Sequence, residues 1–268
     1  MHAAPGRVLV VGSLNVDLTV TVPRHPRPGE TLTGAGGTYA PGGKGANQAL
    51  AAALAGASTA IVGAVGTDAN AATATSLLRR GGVDLDAVAR VPGPTGLAVI
   101  AVDEAGENTI IVIPGANGQV DAALVHPQAA TIGAADVVIC QCEIPTEAIT
   151  ATARATRGRF ILNLAPVTPV PVEVLRRCDP LVVNEHEARG LLAHLDGTAG
   201  TEEADGEAGG YAQVAERLRS HGIPAVVITL GADGALIADD DGLVTVPSPR
   251  VDVVDTTGAG DAFVGTLG

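Results

Sequence analysis

Two hydropathy patterns alternate along the chain. Continuous apolar runs cover residues 7–12, 61–65, 136–140, 160–164, 180–183 and 225–230, each short and each closed by glycine or polar residues. An uninterrupted run of this length is the signature of a strand buried on both faces, as in a parallel sheet. Between these runs lie segments with helical character: an alanine-rich helix over 49–55, a helix over 69–80 stopped by Gly81 and Gly82, one ending near Arg157, and one over 211–221. The second pattern is period-two alternation. It occurs at 17–22, and again at 96–102 and 108–113 around the turn 103–107, which reads as a hairpin. A further hairpin over 235–238 and 243–246 turns at Asp239, Asp240 and Asp241.

Repeated strand–helix units with right-handed crossovers predict a single α/β domain over residues 1–268, with a mostly parallel central sheet covered by helices on both faces. The alternating segments, drawn from about 15–41 and 96–117, are expected to form a small antiparallel sheet apart from the main one, placed as a lid. Residues 196–210 are acidic, glycine-rich and aperiodic, and are read as a mobile surface insert. Ligands of open α/β sheets sit beyond the carboxyl ends of the strands. Asn15, Asp17, Glu143, Asn184, Glu187, Thr229 and the loop 255–261 all follow predicted strands and can share one such edge.

Composition narrows the chemistry. Hydrophobic residues make up 46% of the chain, yet it has only two Phe, two Tyr and no Trp, so the core must be aliphatic and base or sugar stacking on aromatics is disfavoured. A net charge of −13 argues against nucleic acid and anionic membrane as partners. Attraction for a phosphate must then be local, through backbone N–H groups, one or two cations or a metal. Cys140, Cys142 and Cys178 lack metal-site spacing and read as buried thiols. The first residues lack a signal-peptide pattern and no apolar run reaches membrane-spanning length, so a cytoplasmic protein is expected.

Two glycine-rich stretches carry the candidate chemistry. Ala40-Pro41-Gly42-Gly43-Lys44-Gly45-Ala46-Asn47-Gln48 leads into a helix but lacks the Walker spacing, because Gly45 follows Lys44. Taken alone, Lys44 and Asn47 are either ligands or solvated helix-start residues. Asp255-Thr256-Thr257-Gly258-Ala259-Gly260-Asp261 precedes an apolar helix and describes an anion cradle beside a carboxylate, since helix N-termini present unpaired N–H groups. An isolated G-x-G-D is also compatible with a plain helix-terminus acid. The turn after the first strand lacks G-x-G-x-x-G, which disfavours a dinucleotide-dependent oxidoreductase.

Together these stretches resemble the two signatures of the ribokinase-like (PfkB) family of carbohydrate and nucleoside kinases. Asn184-Glu185-His186-Glu187 is similar to the family's N-x-x-E pattern and Thr229-Leu230-Gly231 to its nucleotide strand exit, in the family's order. The resemblance implies a three-layer α/β/α fold with a β lid, and transfer of the γ-phosphoryl of ATP to the primary hydroxyl of a pentose, D-ribose first. Asp261 would be the general base and the N–H groups of Gly258, Ala259 and Gly260 the anion hole. Asn15, Asp17, Gly43, Lys44, Asn47 and Glu143 would hold the sugar. Asn184, Thr229, Gly231 and Gly234 would face the nucleotide. Glu187 would organise Mg²⁺, and Asp255 with the Thr257 carbonyl part of a K⁺ site. It also implies a homodimer paired through the lid. Family members continue beyond the position of Gly268, so a nucleotide site truncated at the C-terminus is expected. Other sugars or nucleosides, and a non-catalytic sugar binder, stand as alternatives.

Overall fold

The computed structural model describes residues 5–197, 208–253 and 255–268; most of the acidic segment 196–210 lies outside them. Thirteen strands form two sheets among the described residues. They are β1 (Arg7–Val11), β2 (Asn15–Thr21), β3 (Ala35–Gly42), β4 (Ser58–Val65), β5 (Val88–Arg90), β6 (Gly96–Val102), β7 (Asn108–Ile113), β8 (Val137–Gln141), β9 (Arg159–Asn163), β10 (Leu181–Asn184), β11 (Val226–Thr229), β12 (Ala235–Asp239) and β13 (Gly242–Val246). The longer helices are α1 (Lys44–Leu54), α2 (Thr146–Ala155), α3 (Glu185–Leu195), α4 (Ala208–Ser220) and α5 (Ala259–Leu267).

The large sheet has the order β13-β12-β11-β10-β9-β8-β1-β4-β5 and is parallel except for the antiparallel β11-β12-β13 meander at one edge. Because side chains alternate along a strand, each buried run feeds two cores. Leu9, Val11, Val138, Cys140, Phe160 and Leu162 pack on one face with residues of α2, α3 and α4. Val8, Val10, Ile139, Ile161, Val182 and Val227 pack on the other with Ala46, Ala49 and Ala52 of α1 and Val264 of α5. This is the expected helix–sheet–helix layering, built from aliphatic side chains. Cys140, Cys142 and Cys178 are free thiols buried within it, and burial pushes the Cys142 thiol up to about 12, which keeps it from acting as a thiolate.

The second sheet has the order β3-β2-β6-β7. It corrects one expectation: β2 and β6 run parallel, with Asn15 opposite Gly96 and Thr21 opposite Val102, so the sheet is mixed. The chain returns to the same end through β4 and the following helices, and that crossover dictates the parallel direction. The helix expected over 69–80 is likewise two short pieces, Asn70–Ala74 and Ser76–Arg80. The buried Thr75 between them returns its hydroxyl to the Ala71 carbonyl at 2.9 Å, the back-bonding that bends helices.

The contact between α1 and α5 positions the candidate chemistry. The two helices approach so closely at Gly265 that a Cβ there would lie 2.4 Å from the Gln48 carbonyl oxygen and 2.6 Å from Ala51 Cβ. Small residues on both helices bring the first and second glycine-rich stretches side by side.

Candidate active site

Helix α1 begins immediately after β3, and its start is fixed from outside its own sequence. Gly43, at φ 92°, occupies a backbone region closed to most side chains, and a Cβ there would lie 2.7 Å from the Asn15 nitrogen. Glu143, at the exit of β8, supplies the missing cap: its Oε2 accepts the Lys44 N–H at 3.1 Å and the Ser13 hydroxyl at 2.6 Å. Ser13 Oγ in turn accepts the Gly45 N–H at 3.2 Å. A carboxylate at this position satisfies orphan donors and complements the helix dipole. Asn15 is buried, and its Oδ1 accepts from Asn117 Nδ2 at 2.6 Å.

Helix α5 starts at Gly258, which adopts the left-handed conformation at φ 72°. The first intrahelical bond runs from the Ala262 N–H to the Gly258 carbonyl at 2.8 Å. Among the described residues, the N–H groups of Gly260 and Asp261 meet no backbone acceptor, whereas that of Ala259 donates to the Thr256 carbonyl at 3.1 Å. The tight turn therefore commits one of the three expected anion-hole donors internally, while the N–H of Asp261 is unpaired among the described residues.

The Asp261 carboxylate is only 8% exposed and both its oxygens are held by α1. Oδ2 accepts from Asn47 Nδ2 and Oδ1 from Gln48 Nε2, each at 2.9 Å. Residues 214 apart in sequence thus meet at hydrogen-bond distance. Asp17 faces the same region. Burial, then the charges of Glu143 and Asp261, raise its carboxyl to about 6, and Lys44 opposes the shift.

Two cavities flank the Gly258 turn. The larger, about 850 Å³, is lined by Asp17, Asn47, Ile100 and Asn108 and on the α5 side by Asp255, Thr257 and Gly258. The smaller, about 170 Å³, is lined by Lys44, Asn184, Glu187, Thr229, Gly260 and Asp261. Lys44, expected with the sugar residues, lines the smaller cavity instead, while its charge reaches both Asp17 and Glu187. Asn184 and Glu187 form a reciprocal capping box at the start of α3: Asn184 Oδ1 accepts the Glu187 N–H and Glu187 Oε2 accepts the Asn184 N–H, both at 2.8 Å. Burial raises the Glu187 carboxyl. Asp255 Oδ1 accepts the Thr257 N–H at 2.8 Å, which lowers the Asp255 carboxyl and shapes the turn locally. Gly231 opens a short 3₁₀ turn after β11. Gly234 is explained by packing, since a Cβ there would lie 2.0 Å from the Val246 carbonyl oxygen.

Sequence motifs do not single out Ser13, Asn117, Gln141 and Asn163, and Gln48 enters only as the last residue of the first glycine-rich stretch, with no role assigned; all five are buried and polar. Their signal is present in kind: a polar residue inside an alanine-rich helix, or at the end of an apolar strand, needs a partner when buried.

A cradle of free N–H groups, a buried carboxylate and a second acid across a cavity define a site that can activate a hydroxyl beside a bound phosphate. Comparison with known proteins agrees. The sequence model described as "pfkB family carbohydrate kinase" matches residues 6–267. A ribokinase of Schizosaccharomyces pombe is 38% identical over 97% of this chain and 83% of its own length. A Mus musculus ribokinase is 35% identical over 97% of this chain and 80% of its own. Among solved structures, a Thermotoga maritima ribokinase superposes with a TM-score of 0.86 at 32% identity, covering 96% of this chain and 83% of that one. An Arabidopsis thaliana ribokinase complexed with ribose and ATP gives 0.84 at 32% identity, over 98% and 84%. The chain belongs to the pfkB family of carbohydrate kinases. It is an ATP-dependent sugar kinase.

Proposed function

We propose that this kinase phosphorylates the primary hydroxyl of D-ribose, giving ribose 5-phosphate and ADP. The reading is carried by one observation: the Asp261 carboxylate, on the first turn of α5 where the Gly260 and Asp261 N–H groups are free, is bonded to Asn47 of the other glycine-rich stretch. It is supported by the relatives named ribokinase and by the ribose and ATP in the Arabidopsis structure. In the proposed reaction, sugar occupies the larger cavity and the triphosphate end of ATP reaches the smaller one. Asp261 takes the proton of the attacking hydroxyl, the new O–P bond forms, and the bond to ADP breaks. Gly258, Gly260 and Asp261 N–H groups hold the charge on the transferred oxygens, with Ala259 contributing the turn that presents them. Asp17 and Asn47 offer acceptor and donor to the sugar hydroxyls, while Asn15, Gly43 and Glu143 shape the wall behind them. Release of ADP on adding each of a panel of pentoses, hexoses and nucleosides tests the assignment; turnover with a nucleoside but no pentose would overturn it.

The ionised form of Asp17 is the stronger acceptor for a sugar hydroxyl. Its raised value means that protonation sets in near pH 6, so the sugar KM is expected to rise about tenfold between pH 7 and pH 5. Steady-state kinetics with ribose across that range checks this. A flat KM would remove Asp17 from the sugar contacts.

Among the described residues no three His, Cys, Asp or Glu side chains cluster as a metal cage. Mg²⁺ needs none, because it commonly keeps several waters and takes one or two carboxylates with substrate phosphates. Glu187 fits that role: it lines the smaller cavity with Asn184, Thr229 and Lys44, and only its Oε2 is engaged in the cap. When bound, the ion would neutralise phosphate charge. Glu187→Gln retains a capping side chain but removes the charge, so the Mg²⁺ needed for half-maximal rate should rise about tenfold with thermal stability little changed. A Mg²⁺ titration of rate alongside thermal unfolding decides. Asp255, kept ionised by the Thr257 N–H, and the Thr257 carbonyl would contribute oxygens to a K⁺ site beside the anion-hole turn.

The second sheet acts as a lid that excludes water from the larger cavity, to which it contributes Asp17, Ile100 and Asn108. Its edge strand β7 exposes Ile110, Ile111, Val112 and Ile113 in succession, an apolar strip that suits a lid-to-lid homodimer. Sedimentation velocity of the protein distinguishes dimer from monomer. Among the described residues no helix is long and apolar enough to cross a membrane, which accords with a cytoplasmic enzyme; fractionation of cells making the protein tests that location.

A further inference from the structure

Behind Asp261 lies a buried amide relay that takes no part in the proton transfer itself. Gln48 is fully buried on α1. Its Nε2 donates to Asp261 Oδ1 at 2.9 Å and to Asn163 Oδ1 at 3.0 Å. Its Oε1 accepts from Gln141 Nε2 at 2.7 Å. Asn163 ends β9 and donates onward to the Val182 carbonyl at 3.3 Å, and Gln141 ends β8. The relay therefore runs from the central sheet, through Gln48, to the carboxylate.

The direction of every bond is fixed by chemistry. An ionised carboxylate only accepts, so the amide of Gln48 must turn its NH₂ toward Asp261. With both N–H groups used, its carbonyl needs a donor, and Gln141 provides one. A flipped Gln48 would oppose oxygen to oxygen at Asp261 and at Asn163 and nitrogen to nitrogen at Gln141. Gln141 is itself held in a tight place: its Oε1 has no partner, and a Cβ on Gly12 would lie 2.0 Å from it.

The carboxylate torsion of an Asp is broad and two-fold, so one donor leaves the group free to swing. Asn47 holds Oδ2, but Asn47 also lines the sugar cavity, where it is needed by ligand. We propose that Gln48 is a positioning residue, which locks the rotation of the Asp261 carboxylate against the central sheet before sugar arrives. The proposal rests on Asp261 being the general base. It predicts that Gln48 acts on the chemical step and not on sugar affinity.

Three proteins are compared with the parent: Asp261→Asn, Gln48→Leu and Gln48→Glu. In Gln48→Leu, kcat is expected to fall about 10²-fold, the cost of a misaligned reacting group, with the ribose KM within about threefold. In Gln48→Glu, the new carboxyl and Asp261 share a proton, because two adjoining carboxylates cannot both ionise freely. While protonated, the new carboxyl can donate to Oδ1 and restore the lock. Once it ionises, repulsion breaks it. The kcat profile should therefore bend down on the alkaline side, at a pH where the parent is flat. The neighbouring charged side chains Asp17, Glu143 and Lys44 are the same in both proteins, so the difference from the parent isolates the new group.

If Asp261→Asn turns over normally, the general-base reading fails. If Asp261→Asn is inactive while Gln48→Leu keeps parental kcat, or Gln48→Glu keeps the parental profile, the positioning role alone is overturned. Unfolding of both Gln48 variants where the parent is folded also overturns it, by assigning the side chain to stability.

Discussion

Asp261→Asn is expected to lower kcat roughly 10²–10⁴-fold, the usual contribution of a general base, which corresponds to about 3–5 kcal/mol of barrier. Ribose affinity should change by less than about threefold, because Asp17 and the sugar-side wall are untouched. The substitution carries a second, structural cost that can be separated from the first. The carboxylate accepts from both Asn47 and Gln48, whereas an amide can accept through one oxygen only, so one buried donor is left facing another donor. A loss of about 1–3 kcal/mol in stability follows. Thermal unfolding reads that term, and single-turnover kinetics on the folded variant reads the other. A variant with near-parental kcat would end the assignment of Asp261 as base.

The second large effect is expected at Gly265, away from any ligand. A Cβ there already meets the Gln48 carbonyl oxygen at 2.4 Å, and that oxygen belongs to helix backbone which cannot step aside. Gly265→Val forces α5 off α1, with a stability loss of about 1–3 kcal/mol from overpacking. The same displacement draws Asp261 away from Asn47 and Gln48, so kcat should fall about 10²-fold even in the fraction that remains folded. Denaturant unfolding and kcat measured at a temperature where the variant is fully native check both parts. Full activity in a folded Gly265→Val protein would show that helix contact does not set the alignment of the base.

Much of the architecture is legible in the chain itself. The strands flanking Leu9, Ile139, Ile161 and Val227 are continuous apolar runs because both faces are covered, and a continuous run is hard to misread. The hairpins 96–113 and 235–246 also stand out, since alternation and acidic or glycine turns agree there. What escapes is non-local. Nothing in the order of residues says that β2 pairs in parallel with β6, or that Thr75 interrupts a helix by bonding backward. The site divides in the same way. Asp17, Asn47, Asp261 and Glu187 carry motif-like neighbours; Gln48 closes the first signature stretch without an assigned role, and Gln141 looks like an incidental polar residue, until burial makes their partners obligatory. Glu143 shows the limit most clearly. Its position after a strand points to a ligand contact, whereas its Oε2 holds the start of α1 in place. Only the three-dimensional meeting of β8 with that helix reveals a cap supplied from 99 residues away.

The docking of α5 on α1 also has a kinetic consequence. A carboxylate brought to its partners across 214 residues cannot be aligned by any locally folded fragment. Long-range closure of this kind is slow to form. Regained catalysis on refolding should therefore appear with the last cooperative step rather than with early secondary structure, making turnover itself a reporter of completed topology.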